Sequence, residues 1–440
     1  MSRGRATHDD APEPGAARSR DADAGVVAID GGPLPLGGGL LALVRPALAQ
    51  LLPGGVLAVL SSSRATAEDL PAWCRLERHE YLGRSTLPDG REQHLIQRGP
   101  HGALRDRGAP AERAERPPTT VDAAVPPRTR DLVAQSPMPP HADPDTGFAP
   151  RGAAVELGGP PYPFTLVDRD RVAPPETAEL YEQAVAAHWD PTRDIPWHTA
   201  LRLPPPLARA LAQVMTFLAE NELSALYVPS RFIARLHPAY AEVAMLLAVQ
   251  LADEARHIDV FLKRAWLLGH GLGVSSAATA LSLRTLLAYD DFTEASFMLS
   301  VLGEGTFLDL LRFVEEHAPD EATRVIAQRT RADEARHVRF GLSHVRHALA
   351  TDHALGPRLE EAVRRRAAVM SAESIPAPVQ DAFTILAARG DDPAAVARGH
   401  DAFRALLETM QDNRQKRLAA AGFSPEQAQR LAALHTPNFM

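Results

Sequence analysis

The most informative feature of the sequence is a six-residue motif that occurs twice without change. Residues 252–257 and 332–337 both read Ala-Asp-Glu-Ala-Arg-His. Each copy has a glutamate three residues before a histidine, and residues at positions i and i+3 lie on one face of a helix. Each copy can therefore direct one carboxylate oxygen and one imidazole nitrogen to the same point. These two pairs are Glu254 with His257 and Glu334 with His337.

Single glutamates complete the pattern on two further predicted helices. Glu304 stands between two glycines in an otherwise apolar stretch, and an earlier helix carries both Glu220 and Glu222. The apolar periodicity of that earlier helix slightly favours Glu222, and Glu220 stays open as the alternative. The chain order is then Glu, Glu-x-x-His, Glu, Glu-x-x-His. In the core of a helical bundle, these residues would form a two-metal carboxylate site.

The types of these residues indicate which metal they would bind. Four carboxylates and two neutral imidazoles suit divalent iron or manganese, and the lack of thiolates argues against zinc or an iron–sulfur cluster. Six side chains for two ions leave positions open for dioxygen. We therefore predict a cofactor of two iron ions, and manganese or a mixed iron–manganese pair fits the same ligands. The predicted metal ligands are Glu222, Glu254, His257, Glu304, Glu334 and His337.

The repeated motif also supplies candidates for the groups that surround the ligands. One such motif alone is usually a solvated charged face, but its repetition within apolar helices favours a metal site, because buried carboxylates without partners are costly. Asp253 and Asp333 lie four residues before the histidines of their motifs. Each aspartate can accept the second ring N–H of its own histidine or pair across to the neighbouring helix. Arg256 and Arg336 would balance the aspartate charges.

The composition indicates a soluble intracellular protein. The 440 residues carry a formal charge of −8, with 55 acidic and 47 basic residues, which argues against nucleic acid as the main partner. The single cysteine, Cys74, excludes internal disulfides and fits a reducing cytoplasm. No apolar run reaches the roughly 18 residues of a membrane span, and the N-terminus lacks the apolar core of a signal peptide. We therefore expect a cytoplasmic protein without a membrane partner.

Composition and periodicity divide the chain into four segments. We expect residues 1–24 to be disordered, because they are polar and charged. Residues 25–99 show the order βαβαββ and predict a small two-layer domain, and residues 100–160, rich in Pro, Arg and Ala, predict a linker. Residues 161–440 have helical periodicity, so the fold class is multidomain α+β with a large all-α bundle. Helices are predicted near 205–228, 238–269, 276–317, 320–351, 357–370, 378–388 and 393–420.

Residues 200–350 resemble the ferritin-like di-iron carboxylate proteins, which include multicomponent monooxygenases, ribonucleotide reductase small subunits and arylamine N-oxygenases. Asp-Glu-Ala-Arg-His-Val-Arg-Phe-Gly at 333–341 is similar to the second Glu-x-x-His helix of the hydroxylase members. Asn-Glu-Leu-Ser-Ala at 221–225 is similar to their first ligand helix, which supports Glu222. The resemblance implies a four-helix bundle that encloses two irons, and the helices predicted beyond residue 351 would be extra C-terminal helices. It also implies dioxygen activation, an external electron donor and a small organic substrate.

Residues 25–99 are similar to sulfur-carrier domains of the TusA type. Asp-Gly-Gly-Pro-Leu-Pro at 30–35 matches their Cys-Pro-x-Pro region, and residues 69–75 match their second helix. The active cysteine of that family falls at Gly32, which cannot carry a persulfide. We expect Cys74 to be a buried structural thiol and interpret this domain as a docking or scaffold module.

Three functions are consistent with the sequence. The first is a dioxygen-activating oxidase or oxygenase of the non-haem di-iron class, with no catalytic residue identified beyond the metal ligands. The second is an iron-handling protein of the ferroxidase type that has no organic substrate. The third is a non-catalytic adaptor that uses the TusA-like domain. The substrate, the choice between carbon and nitrogen oxidation, and the oligomeric state stay open, with a homodimer as one option.

Overall fold

The computed structural model describes residues 26–99, 126–153, 155, 160–370 and 375–434. The chain divides into two compact units, which we call the α/β unit and the helical unit. The α/β unit is described over 26–99, and the helical unit comprises the described residues from 126 onward apart from Val155. The disorder predicted over 1–24 lies outside the described residues, as does the part of the predicted linker at 100–125.

The α/β unit is a four-stranded sheet with two helices. The strand order across the sheet is β1-β2-β4-β3, with β1 and β2 parallel and the other neighbouring pairs antiparallel. The predicted βαβαββ order is confirmed, and a helix connects the two parallel strands, as a parallel pair requires. The elements are β1 (Val27–Gly32), α1 (Leu40–Ala49), β2 (Val56–Ser61), α2 (Arg64–Leu76), β3 (Glu80–Thr86) and β4 (Glu92–Gln97).

An apolar layer joins the two helices of the α/β unit to its sheet. Cys74 lies in this layer without exposed surface, and burial raises the pKa of its thiol to about 12. The thiol is therefore protonated and inaccessible, as expected of a structural cysteine. Fully buried neighbours in the layer include Leu40, Leu57, Leu70 and Ile96.

The helical unit contains helices of very different lengths. Its first three are α3 (Thr129–Gln135), α4 (Arg169–Val172) and α5 (Thr177–Ala186). Next come α6 (Pro205–Ile233), α7 (Ala241–Leu267), α8 (Ala277–Leu286), α9 (Phe292–Ser296), the π segment (Phe297–Glu304), α10 (Gly305–Glu316) and α11 (Glu321–Thr351). The last are α12 (Leu355–Met370), α13 (Ala377–Ala388), α14 (Pro393–Ala420) and α15 (Pro425–Leu434).

Proline and aspartate residues set the start of the long helices. α6 begins at Pro205, where the N–H that proline lacks would have no partner in the first turn. α11 begins after Asp320, whose side chain accepts a hydrogen bond from the backbone N–H of Thr323. Asp392 caps α14 in the same way. Because these signals are local, the limits of the long helices lie within a few residues of the predicted ones.

The helix predicted over 276–317 is interrupted in the structure. It is divided into α8, α9, the π segment and α10, with a break at residues 287–291. Asp291 caps α9 by accepting hydrogen bonds from the backbone N–H groups of Thr293 and Glu294, so a new helix starts there. In the π segment the backbone hydrogen bonds span five residues, an arrangement frequent at functional sites.

Part of the segment predicted as a linker packs on the helical unit. Residues 126–153 contain α3, and Arg151 donates a hydrogen bond of 2.8 Å to Glu242 in the first turn of α7. The side chains of Arg151 and Glu242 are only 9% and 6% exposed. A buried ion pair between distant residues leaves no periodic signal in the sequence, and composition alone therefore favoured a linker.

The described residues form a small sheet followed by a large helical bundle, so the predicted multidomain α+β class is confirmed. In the bundle α6 packs on α7, and α11 packs on α7 and on the π segment. These four elements carry the residues of the predicted metal site. Among the described residues, no helix combines the length and the apolar character that crossing a membrane requires.

Candidate metal centre

Four packed elements bring their acidic side chains into one buried cluster. α6 and the π segment each contribute one glutamate, and the two motif helices α7 and α11 each contribute a glutamate and a histidine. The helical i, i+3 spacing places the two side chains of each motif on the same face, as the sequence predicts. The cluster contains all six predicted ligands with exposures of 0% to 4%: Glu222, Glu254, His257, Glu304, Glu334 and His337.

Two overlapping groups within this cluster have the dimensions of metal sites. In each group, one potential ligand atom from every residue lies within 4.8 Å of the others. Glu254 and Glu334 belong to both groups, so their carboxylates are placed where they could bridge two ions. The first group is Glu222, Glu254, His257 and Glu334, and the second is Glu254, Glu304, Glu334 and His337.

The histidine nitrogens that face these carboxylates are both Nδ1 atoms. His257 Nδ1 lies 3.3 Å from Glu254 Oε2 and 3.3 Å from Glu334 Oε1. His337 Nδ1 lies 3.1 Å from Glu254 Oε1 and 3.4 Å from Glu334 Oε2. Each imidazole therefore faces the glutamate of its own helix and the glutamate of the other motif helix.

Several of the buried ligand atoms have no hydrogen-bond partner among the described residues. Buried polar atoms without partners are uncommon in folded proteins and cost free energy. A pair of divalent cations would satisfy all of them together, so the donor set fits a di-metal centre. These atoms are Glu222 Oε1, Glu254 Oε1, Glu304 Oε2, both carboxylate oxygens of Glu334, and His337 Nδ1.

The protonation of the cluster reflects the crowding of its four carboxylates. Burial raises the pKa of Glu222 well above its usual value, and the charge of Glu334 raises it further. The same two causes raise the pKa of Glu304. Burial alone would lower the pKa of His257, but the charge of Glu222 holds that pKa well above its usual value. Without cations the cluster therefore retains protons, and metal binding would release them.

The outer ring nitrogens are held by aspartates of the opposite motif helix. His257 Nε2 lies 3.1 Å from Asp333 Oδ2, and His337 Nε2 lies 3.1 Å from Asp253 Oδ2. Of the two arrangements that the sequence allowed, the structure thus has the crossed one. An Nε2–H donated to a carboxylate leaves the Nδ1 lone pair for a metal and fixes the orientation of the ring.

Each of these aspartates also pairs with the arginine of its own motif. Arg256 donates to Asp253, and Arg336 donates to Asp333. Arg256 Nη2 lies 3.6 Å from Asp333 Oδ2, and Arg336 Nη2 lies 3.7 Å from Asp253 Oδ2. Two positive and two negative side chains therefore alternate between α7 and α11, which neutralises the buried charge and connects the two motif helices.

Trp189 belongs to this network although the sequence analysis did not include it in the site. Its indole N–H donates a hydrogen bond of 2.7 Å to Asp333 Oδ2, and its ring centroid lies 6.4 Å from that of His257. The guanidinium of Arg256 lies 5.3 Å from the indole centroid, within cation–π range. The segment that contains Trp189 has no helical periodicity relating it to the motif helices, so its place follows only from the tertiary structure.

Gln250 is a second neighbour that the sequence analysis missed. Its Nε2 donates a hydrogen bond of 3.1 Å to Glu304 Oε1, and the side chain is 2% exposed. Gln250 lies four residues before Glu254 on α7 and therefore shares its helix face. That spacing was a signal from which the residue could have been found.

The two candidate glutamates of α6 occupy different environments. Glu222 is 2% exposed, and its Oε1 lies 3.4 Å from His257 Nδ1. Glu220 instead accepts a hydrogen bond of 2.6 Å from Ser275 in an exposed pair. The structure therefore brings Glu222, and not Glu220, into the cluster.

We expect Glu222→Gln to weaken metal binding at least roughly tenfold, because residues that merely support ligands already contribute that much. The matched change Glu220→Gln should retain the metal content of the unmodified protein. Elemental analysis after dialysis against a range of free-metal concentrations measures both. Equal effects of the two changes would contradict the assignment of Glu222 as a ligand.

A small apolar space borders the cluster beside its two single glutamates. This space of about 10 Å³ is lined by Glu222 and Glu304 together with Leu299 and Phe307. A second space of about 10 Å³ is also lined by Leu299, together with Phe232. Each has room for roughly one water-sized molecule. The glutamate side of the cluster is thus more apolar than the histidine side, where the charged network lies.

No protein-family model matches the chain, and no curated protein matches it. Solved structures that are similar include a protein with aldehyde deformylating oxidase activity from Synechococcus. It is 16% identical, with a TM-score of 0.39 over 53% of this chain and 98% of that chain. An R2-like ligand-binding oxidase with a Mn/Fe cofactor is 17% identical, with a TM-score of 0.39 over 60% of this chain and 94% of that chain. Because these TM-scores are low, we infer function from the geometry of the cluster.

Proposed function

We propose that the helical unit is a dioxygen-using, non-haem di-metal oxidase or oxygenase that acts on a small organic substrate. The observation that carries this proposal is the position of Glu254 and Glu334 between two buried histidines, within reach of both. Carboxylates shared in this way would hold two ions close enough to act on one molecule. When bound, a pair of divalent iron or manganese ions would supply two electrons to dioxygen, and the external donor and the substrate would supply the rest.

The chain's own residues would hold the ions and control the approach to them. Six protein ligands for two ions leave coordination positions open. Glu222 and Glu304 each belong to only one of the two groups and border the apolar space beside Leu299. We therefore place the approach of dioxygen and of an apolar substrate group on this side. On the other side, the crossed Asp–His hydrogen bonds would keep the Nδ1 lone pairs of both histidines available to hold the ions.

Oxygen uptake tests the proposed function directly. We expect protein loaded with iron and reduced without oxygen to consume dioxygen when it is admitted, with transient absorption in the visible range. The measurement is an oxygen electrode trace together with stopped-flow absorption, with an external chemical reductant as the electron donor. Protein with Glu316→Gln, a change at a 61% exposed carboxylate of α10, is the control and should react like the unmodified protein.

Two other outcomes would favour the alternative functions. Iron loading far beyond about two ions per chain, in a large closed assembly, would support an iron-handling protein. A protein that binds no metal at all under any loading condition would support a non-catalytic adaptor. Both are measured by elemental analysis combined with size-exclusion chromatography and light scattering.

We also propose a docking or scaffold role for the α/β unit. Gly32, which stands where the sulfur carriers have their active cysteine, has φ of 49°, a conformation that favours glycine. Asp30 accepts a hydrogen bond from the Gly32 N–H and pairs with Arg91 at 2.7 Å, so the end of β1 is tied to the β3–β4 hairpin. The buried Cys74 offers no alternative nucleophile.

A further inference from the structure

Three arginines are buried or nearly buried in the C-terminal helices, away from the motif helices. Arg366 on α12 is 4% exposed, and Arg414 on α14 is 6% exposed. Arg417 lies one turn after Arg414, and its side chain is 12% exposed. Arginine stays protonated in proteins, so these residues bring three positive charges into the interior.

Among the described residues, Asp309 is the carboxylate that faces this cluster. Its Oδ2 lies 3.3 Å from Arg417 Nη1, and its Oδ1 accepts a hydrogen bond of 2.7 Å from Asn413. Within the described ranges, Arg366 donates to hydroxyl groups, at 2.9 Å to Thr285 and 2.9 Å to Ser282, and pairs with no carboxylate. Asp309 therefore compensates one of the three charges and leaves two in excess.

Arg414 makes no hydrogen bond or ion pair with any described residue, and its buried Nε has no partner. Burial and, to a smaller extent, the positive charge of Arg417 lower the pKa of Arg414 to about 10. The charge of Arg366 also lowers the pKa of Arg414, and burial lowers the pKa of Arg366 itself to about 10. A buried charge without a counter-charge is costly, so such groups normally have a partner.

We propose that Arg366, Arg414 and Arg417 form a binding site for an oxyanion, the carboxylate or phosphate group of a small acidic molecule. The planar guanidinium matches both groups because it can donate two parallel hydrogen bonds. An anion between these side chains would supply the missing counter-charge and accept the free donors of Arg414. The excess of two positive charges suits a phosphate group, and one carboxylate would compensate half of it.

The position of this site relates it to the metal centre. A Cβ atom placed on Gly305 would lie 2.5 Å from Arg417 Nε, so the arginine packs directly on the residue that follows Glu304. Arg417 Nη2 also lies 3.5 Å from Thr306 Oγ1 at the start of α10. A bound anion would therefore stabilise the C-terminal helices against the element that carries Glu304.

Thermal unfolding in matched salts tests this proposal without reference to activity. We expect the metal-loaded, full-length protein to unfold at a temperature roughly 5 °C higher in saturating phosphate or acetate than in chloride of equal ionic strength. Phosphate also stabilises proteins generally, so the readout is the difference between variants. Arg414→Met should abolish most of the anion-dependent increase, while its unfolding temperature in chloride stays equal or rises, because an unpaired buried charge is removed.

Arg404 provides the matched control, because it is an exposed arginine on the same helix. Arg404→Met should keep the full response to the anion. The proposal is overturned if phosphate and acetate raise the unfolding temperature of the unmodified protein no more than that of Arg414→Met. If Arg414→Met does not fold, calorimetric titration of the unmodified protein decides: saturable binding of phosphate or acetate supports the site, and heat indistinguishable from chloride overturns it. Whichever of phosphate and acetate binds more tightly identifies the chemical group of the ligand.

Discussion

His257→Ala and His337→Ala should each cause the largest loss of metal of any single change in this protein. We expect about two iron ions per chain in the unmodified protein and a large loss in each variant. Each histidine faces both shared glutamates, at 3.1 to 3.4 Å, so removing one imidazole disturbs the ligands of both ions. Elemental analysis measures the metal content, and the charge-transfer absorption of the iron-loaded protein measures the integrity of the site.

His270→Ala is the control for these variants, because His270 is exposed and lies outside the cluster. It should keep the full metal content. Circular dichroism separates ligand loss from unfolding, since α7 and α11 should stay helical without the metal. Full metal occupancy in both His257→Ala and His337→Ala would rule out the proposed di-metal centre.

The effect of Glu304→Gln on the stability of the folded protein should depend on whether metal is present. Metal that binds only the folded protein should stabilise it by about 4 kcal/mol when the free metal is 1,000-fold above its dissociation constant. Glu304→Gln should lose much of this increase, because an amide is a poor substitute for an anionic ligand. In the metal-free protein the same change should be nearly neutral or stabilising. Burial raises the pKa of Glu304 well above its usual value and so favours the protonated carboxyl group, which glutamine imitates.

Thermal unfolding with and without a chelator measures both effects. Glu316→Gln on α10 is the control, and exposed ion pairs such as its contact with Arg312 contribute only about 0–1 kcal/mol. This control should show the full metal-dependent increase. A metal-free Glu304→Gln protein that is several kcal/mol less stable than the unmodified protein would contradict the idea that the carboxylate is retained for a cation.

The order of elements in the small sheet and the limits of the long helices could be predicted because their signals are local. Pro205, Asp320 and Asp392 each start a helix through their own backbone or side-chain chemistry. The break before α9 was missed because apolar periodicity continues across it, and the capping role of Asp291 is decisive there. The packing of residues 126–153 was missed because it depends on a contact between Arg151 and Glu242.

The sequence by itself determined which residue types meet at the centre of the bundle. A glutamate and a histidine three residues apart must share one helix face, and the exact repeat of that motif indicates two such faces in contact. The types of the candidate ligands then favour metals that prefer oxygen and imidazole. None of these inferences requires knowledge of how the helices cross.

Only the tertiary structure decided which side chains support these candidate ligands. Each histidine pairs with the aspartate of the opposite motif, Trp189 reaches Asp333 from a segment without periodicity, and Arg417 packs against Gly305 from a distant helix. The physical reason is that a helix repeat specifies the direction of a side chain relative to its own axis. The partner that it meets depends on the crossing of two helices, which is set by the packing of the whole core.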